Sequence, residues 1–427
     1  MHFRFDKLTL SGWRQFHKIE IKFHPKLTII TGANGAGKSS LLSMLTQHFG
    51  WQNRFLGTPL KRRINGVVRF ITGLRRVQKK DVSEYSVGTI EYSPSADAIL
   101  KTSAEGLQYA INIYNQQSVL GTYISSHRPM PFYQQINSIN IGAQSPDQAY
   151  SQLQSESASR ASGNFHGPTP ILRMREALIS MATFGPKTEF SFGDEHALDT
   201  IKEFTNVLRK TLPPSLGFRS LSIRQTDVVL ETSSGSFMLD SASGGIMAII
   251  DITWQIFIFS LTSRVRAEDG FVVVMDEPEN HLHPSMQRSL LSNLIEAFPT
   301  AQFIVATHSP FMVSSVQDSS VYVLRYDKIE VDFLDSNFEE KGSYKNLVIS
   351  ERLDVVNRAG SAGDILRDVL GVPVTVPLWV ESELEDLVNE FRDREPSIET
   401  FKLLKTKMSA LGFGELYPQA VARLVQE

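Results

Sequence analysis

The sequence predicts an α/β protein with a phosphate-loop core, a β-rich arm and a small helical carboxyl-terminal extension. Three observations carry this. Residues 27–30 form a short apolar run that leads directly into Gly32-Ala33-Asn34-Gly35-Ala36-Gly37-Lys38-Ser39. Apolar residues then recur at helical spacing at Leu41, Leu42 and Leu45, which is the order strand, glycine loop, helix. Two further apolar runs, residues 271–275 and 302–306, enclose a helical pattern over 285–298, as in a βαβ unit with buried parallel strands. Residues 3–10 and 19–23 instead alternate apolar and polar side chains across a short polar gap, predicting two adjacent strands with one buried face.

The other elements follow in order. Residues 67–92 read as further short strands, so the arm and an insertion occupy about 51–170. The Ser, Gln, Ala and Gly excess over 143–168 predicts a mobile loop or insertion. Helices are expected over 171–183 and 197–211, the second closed by Pro213-Pro214. Strand patterns return at 221–231 and 236–239. Residues 246–261 are apolar on almost every side, interrupted by Asp251; they are too short to span a bilayer and predict a buried helix. Beyond 322–334 the tail reads as helical and acidic, giving a head over 1–335 and a helical extension over 336–427.

With 427 residues, 41% of them hydrophobic, the chain can bury a large core and is not a disordered segment. The absence of cysteine excludes disulfides, thiolate metal sites and a cysteine nucleophile. No long uncharged apolar run and no secretion-signal core are present, so a cytoplasmic protein with no membrane partner is expected. The net charge of −3 hides an asymmetry: residues 1–80 carry 16 Lys and Arg against two acids, Asp6 and Glu20. Arg54, Lys61, Arg62, Arg63, Arg69, Arg75, Arg76, Lys79 and Lys80 gather in an acid-free stretch. This 54–80 cluster fits a nucleic-acid partner, and equally a set of exposed strands whose charge pairs with the acidic remainder.

The chemistry is concentrated in four places. Gly32 to Ser39 is G-x-x-x-x-G-K-S. Its glycines let successive backbone N–H groups curl round phosphates, Lys38 reaches the β- and γ-phosphates, and the Ser39 hydroxyl suits magnesium. Gly32, Ala33, Asn34, Gly35, Ala36, Gly37, Lys38, Ser39 and Ser40 are therefore the nucleotide-binding candidates, with ATP and Mg2+ as the expected cofactors. Asp276 and Glu277 end an apolar strand; the first carboxylate suits the metal and the second suits polarising the attacking water. Ser243-Gly244-Gly245 opens the buried helix with a second phosphate-sized N-terminus. His308 ends the next strand, where a γ-phosphate would lie, and joins Glu277 as a catalytic candidate. His281 and His283 do not read as a shared metal site, because side chains two apart on a helix face different sides.

These four occur in the order of the Walker A, signature, Walker B and switch-histidine motifs of ABC-type ATPases, which the chain resembles. It is similar to their soluble branch, which includes structural-maintenance-of-chromosomes (SMC), recombination-repair and overcoming-lysogenization-defect ATPases and the ATPase subunits of Septu-like and PARIS-like anti-phage systems. Leu8-Thr9-Leu10-Ser11-Gly12-Trp13-Arg14-Gln15-Phe16, the run from Asp276 to Pro284, and Ala306-Thr307-His308-Ser309-Pro310 carry the likeness over roughly residues 1–325. The resemblance implies an ABC-type ATPase head that forms an ATP-dependent dimer or higher oligomer with itself. Ser243, Gly244 and Gly245 would complete the site of the other subunit, and Arg14 would approach the phosphates. It also implies a separate effector protein such as a nuclease; the alternatives are a repair ATPase that clamps DNA and an ATP-binding scaffold with negligible turnover. The signature departs from the family as Ser-Ala-Ser-Gly-Gly-Ile, and Gln116 and Gln117 are the candidates for the Q-loop glutamine. The lack of heptads between Lys38 and Ser243 excludes a long coiled coil.

Overall fold

A computed structural model of the chain describes residues 2–425 except 62–67, 73–83, 130–132, 140–141, 162, 165–166, 188–192, 225–226, 267–269, 331–343, 355–361, 371–377 and 393–396. It divides into two compact units, Met1–Ile365 and Leu366–Glu427. Among the described residues no helix is long and apolar enough to cross a membrane.

The first unit is organised by an eleven-stranded mixed sheet. Strands β1 (Arg4–Trp13) and β2 (Phe16–Lys22) form an antiparallel hairpin turned at Arg14 and Gln15. Leu8 pairs with Ile21 and Leu10 with Ile19, all four buried, so the alternation in the sequence becomes one apolar face. Strand β3 (Leu27–Gly32) is buried at every residue and lies between Ala301–Ala306 and Ser320–Glu330, both parallel neighbours. A strand covered on both faces has no polar side to show, which explains its unbroken apolar run. Phe271–Asp276 and then Gly121–Ile124 continue the parallel set. From β1 the sheet extends the other way through Glu84–Ser93, Ala96–Ser103 and Ile111–Tyr114, all antiparallel. Helix α1 (Lys38–Thr46) buries Leu41, Leu42 and Leu45 against the sheet.

The parallel registers decide where chemistry can gather. Ile30 lies beside Ala306, Ala306 beside Asp276, and Met275 beside Ile124. The loops that leave these strands therefore emerge along one carboxyl edge of the sheet, the edge where open α/β sheets bind ligands.

Two expectations are corrected. Within 143–168, Pro146–Ala161 is a helix rather than a loop. Its start is a reciprocal cap, with the Ser145 hydroxyl accepting from the Gln148 N–H and the Gln148 side chain accepting from the Ser145 N–H. Ala149, Tyr150 and Leu153 supply the buried stripe, and the Tyr150 ring packs 5.0 Å from that of Phe259. Polar composition hid a short apolar face. Second, Tyr344–Arg352, assigned to the helical extension, is a strand of the main sheet, antiparallel to Ser320–Glu330 and parallel to β2. Leu347 and Val348 are the buried residues that draw it in. The second unit begins only at Leu366. There Leu378–Arg392, Ile398–Ala410 and Tyr417–Val425 are helices around a small core of Leu384, Leu387, Phe391, Leu404, Met408 and Ala420.

The helix Gly244–Ser260 is buried from Gly245 to Phe259, with the Trp254 ring 5.0 Å from Phe204. The segment before it is tied down by Arg175, which is 1% exposed and lies on the helix Pro170–Phe184. Its guanidinium meets Asp227 at 2.5 Å and Asp240 at 3.1 Å. Burial raises the Asp240 carboxyl pKa, and the guanidinium opposes that shift. Arg175→Met would strand Asp240 as a buried, unpaired charge, at a cost of about 3–5 kcal/mol. Unfolding followed by tryptophan fluorescence should show that loss near neutral pH. The loss should shrink as pH falls and Asp240 takes up a proton; equal stability of variant and parent at pH 7 would count against the ion network.

Candidate functional site

The phosphate loop between β3 and α1 turns on Gly32, Gly35 and Gly37, with φ of +142°, +79° and +97°. A Cβ on Gly32 would lie 2.5 Å from the Leu324 carbonyl oxygen, and one on Gly37 would collide with the Phe16 ring and Gln15 Nε2. The β1–β2 turn thus presses on the loop, and Gln15 Nε2 donates to the Gly35 carbonyl at 3.3 Å. Ala33, Asn34 and Gly35 form the exposed crown, while Ala36 is buried beneath it. Ser39 is exposed and Ser40 half-buried on the first turn of α1.

Lys38 folds back into this loop and is 5% exposed. Its ammonium meets the carbonyls of Gly32 at 3.1 Å and Ala33 at 3.4 Å, and Nε2 of His308 at 2.5 Å. An ammonium has three hydrogens, and three protein acceptors take them. Burial lowers the Lys38 pKa, against the pull of Glu277, Asp276 and Glu279.

Asp276, at the end of its strand, is 4% exposed. Burial, helped by the charge of Glu277, holds its carboxyl above the usual range, with the Ser39 hydroxyl opposing the shift. Its Oδ1 is buried with no hydrogen-bond partner. Glu277 follows in left-handed backbone, φ +46°, a conformation costing a non-glycine residue about 1–3 kcal/mol. Several bonds hold it there: its N–H donates to the Ala306 carbonyl at 2.9 Å. Asn280 Nδ2 donates to Glu277 Oε2 at 3.3 Å, and Arg128 reaches the Glu277 carbonyl at 3.4 Å. Oε1 of Glu277 stands 3.6 Å from His308 Nε2.

His308 is placed through its backbone, because Glu279 Oε1 accepts from the His308 N–H at 2.8 Å and from the Thr307 hydroxyl at 2.6 Å. Burial and then the Lys38 charge lower the His308 pKa, with Glu277 opposing. Near neutral pH the imidazole is therefore uncharged and can accept from Lys38.

The carboxyl edge brings Lys38, Ser39, Asp276, Glu277 and His308 together. It does not bring in the signature. Ser243 and Gly244 are exposed at the start of their helix, Ser243 Oγ capping the Ile246 N–H at 3.5 Å. Gly245 backs onto Met286 and the His281 carbonyl. Arg14, with φ +50°, sets its guanidinium 5.8 Å from the Trp13 ring and 5.4 Å from that of Phe55. Arg62, Arg63, Arg75, Arg76, Lys79 and Lys80 of the basic cluster lie outside the described residues.

Three contributors were not foreseen. Glu279 stood within the motif, two residues past Glu277, and Gln15 stood beside Arg14; each had a local signal. Arg128 had none, since it meets the Glu277 segment only because Gly121–Ile124 pairs with Phe271–Asp276. Gln116 and Gln117 precede that strand, and Gln117 Nε2 donates back to the Asn115 carbonyl at 2.8 Å. The residues that leave its carboxyl end are Ser125, Ser126, His127 and Arg128.

These residues fit a nucleoside triphosphate with a divalent cation. The exposed glycine crown suits phosphates, and the Ser39 hydroxyl with the unpartnered Asp276 oxygen offers the hard donors such a cation takes. Among the described residues no group of three His, Cys, Asp or Glu could hold a metal by itself, so phosphate and water would supply the remaining ligands.

Comparison with known proteins agrees with this chemistry. Residues 7–125 match the profile described as "AAA domain". Over 235 residues the chain is 24% identical to the Septu protein PtuA of Bacillus thuringiensis, covering 47% of this chain and 53% of that one. Over 331 residues it is 24% identical to the Septu protein PtuA of Bacillus mycoides (strain KBAB4), covering 75% of this chain and 40% of that one. Over 115 residues it is 29% identical to the "Retron Ec83 probable ATPase" of Escherichia coli, covering 26% of this chain and 21% of that one. The chain thus spans about half or less of the length of these relatives. The SMC head domain from Thermotoga maritima aligns with 83% of this chain and 100% of its own, at 13% identity and a TM-score of 0.41. Residues 74–313, more than half of the chain, match the profile described as "AAA ATPase domain", and the chain belongs to that family.

Proposed function

We propose that this chain hydrolyses ATP with magnesium, uses the cycle to join and separate a pair of heads, and serves as the ATPase subunit of a bacterial anti-phage system that controls a separate effector. The observation that carries the ATPase reading is the convergence of Lys38, Glu277 and His308 at one sheet edge, beside Ser39 and Asp276. Bound Mg-ATP supplies a γ-phosphoryl centre whose charge the cation shares, and Ser39 and Asp276 would hold that cation. Lys38 exchanges the Gly32 and Ala33 carbonyls and His308 for phosphate oxygens, which are stronger acceptors because they are charged. His308, freed from Lys38 and fixed through Glu279, stays beside Glu277. Glu277 orients the attacking water and takes its proton.

The two-head reading is supported by the signature, whose helix N-terminus is exposed at Ser243 and Gly244. An outward-facing N-terminus is an anion site for whatever approaches it, and a second copy of this head would bring a γ-phosphate. The defence role and the effector are supported by the likeness to the Septu and retron proteins.

Lys38→Ala should weaken ATP binding, because the ammonium is lost, whereas Glu277→Gln should bind ATP about as well as the parent and lose about 100-fold or more in turnover. Equilibrium binding and phosphate release separate the two. Equal loss of affinity in both variants would remove Glu277 from its role.

With saturating Mg-ATP, Glu277→Gln should sediment as a dimer, and adding Ser243→Arg should return it to the monomer by placing a bulky side chain where a phosphate must sit. A monomeric Glu277→Gln protein, or a Ser243→Arg form that dimerises as before, would contradict the two-head geometry.

A further inference from the structure

Arg128 lies where the turn after Glu277 meets the strand end at Ser125. Its Nη2 is within hydrogen-bond reach of three carbonyl oxygens, those of Glu277 at 3.4 Å, Pro278 at 3.2 Å and Asn280 at 3.3 Å. Nη1 donates to the Ser125 carbonyl at 3.4 Å. Asn280 closes the ring, its Nδ2 donating to the Ser126 carbonyl and to Glu277 Oε2, each at 3.3 Å. One guanidinium thus gathers the whole turn that keeps Glu277 in its left-handed conformation.

The same guanidinium faces the signature helix. Arg128 and Asp251 line one narrow crevice together with Gly244, Met247 and His281. Asp251 is 6% exposed; burial lowers the Arg128 pKa, and the Asp251 carboxyl opposes that shift. Asp251 Oδ1 and Arg128 Nε are both buried with no hydrogen-bond partner. Burial raises the Asp251 carboxyl pKa and the Arg128 guanidinium opposes that shift, so the charge that Asp251 carries depends on how near the guanidinium stands. Asp251 stands about two turns along the helix from Ser243, so a displacement of the signature is carried rigidly to it.

We propose that Arg128 is a positioning residue that couples the signature helix to Glu277, so that engagement of one head's signature by the other head's nucleotide adjusts the first head's own hydrolytic glutamate. This rests on the two-head reading above. Engagement shifts the helix and with it Asp251; Arg128 follows the carboxylate and draws the carbonyls of Glu277, Pro278 and Asn280. The two nucleotide sites then fire together rather than independently.

Arg128→Lys keeps the charge and loses the fork that serves three carbonyls; Asp251→Asn keeps the shape and loses the charge. Both should bind ATP within about threefold of the parent and keep its melting temperature within a few degrees. In the Glu277→Gln background both should still dimerise with ATP. With Glu277 intact, turnover per dimer should fall about 5- to 150-fold, the range of a typical coupling between sites. The double variant should be no slower than the worse single one, because the two act as one unit. A merely structural role would instead lower affinity, dimerisation and melting temperature together, and that outcome would overturn the coupling. So would parental turnover per dimer in Arg128→Lys, or losses that multiply in the double variant. If the Glu277→Gln protein stays monomeric with saturating ATP while both single variants still bind it, the two-head reading fails and takes the coupling with it. If dimers form and Arg128→Lys is as fast as the parent, the coupling alone fails.

Discussion

Everything at the site depends on where one buried ammonium spends its hydrogens. Lys38 has left water for the floor of a glycine loop, and two carbonyls and an imidazole replace its hydration. Burial of a cation is tolerated only with such partners. The loop supplies two of them because its glycines bend the backbone until the Gly32 and Ala33 oxygens point inward. The third comes from His308, distant in sequence and adjacent in the sheet. The arrangement is stable and exchangeable at once, since phosphate oxygens are better acceptors than any of the three.

That exchange requires the strand ends to be held in register. The pairings of Ile30, Ala306 and Asp276 set the depth at which the three loops leave the sheet. Around them a shell of fixed groups removes the remaining freedom: Gln15 on the loop carbonyl, Glu279 on the His308 backbone, and Arg128 on the turn after Glu277. The strain at Glu277 persists because this shell over-determines it.

What is legible in the sequence is the chemistry that is contiguous along it. A glycine loop between an apolar strand and a helix, two carboxylates on a strand end and a histidine on the next strand end are each local patterns, and the sheet edge gathers them. What escapes depends on which strands adjoin. Arg128 meets Glu277 only through the pairing of Gly121–Ile124 with Phe271–Asp276, which no spacing announces. Pro146–Ala161 reads as a loop because polar residues outnumber its buried Ala149, Tyr150 and Leu153, although the Ser145–Gln148 cap is there to be read. Tyr344–Arg352 reads as helix because charged neighbours mask Leu347 and Val348. Physical context beyond the window, not propensity within it, decides each case.

The claim that phosphate takes Lys38 from His308 is the centre of this account, and the protonation of His308 reports on it directly. Side-chain nitrogen NMR of the Glu277→Gln protein, with His308 assigned by its loss in His308→Gln, would follow the imidazole titration with and without Mg-ATP. Without nucleotide, burial and the Lys38 charge hold the pKa below the ordinary histidine value. With nucleotide the cation has turned to an anion, and the pKa should rise, with the Nε2 resonance shifting as its short contact is lost. A titration that does not move when saturating Mg-ATP is bound would show that Lys38 never leaves His308, and would contradict the account.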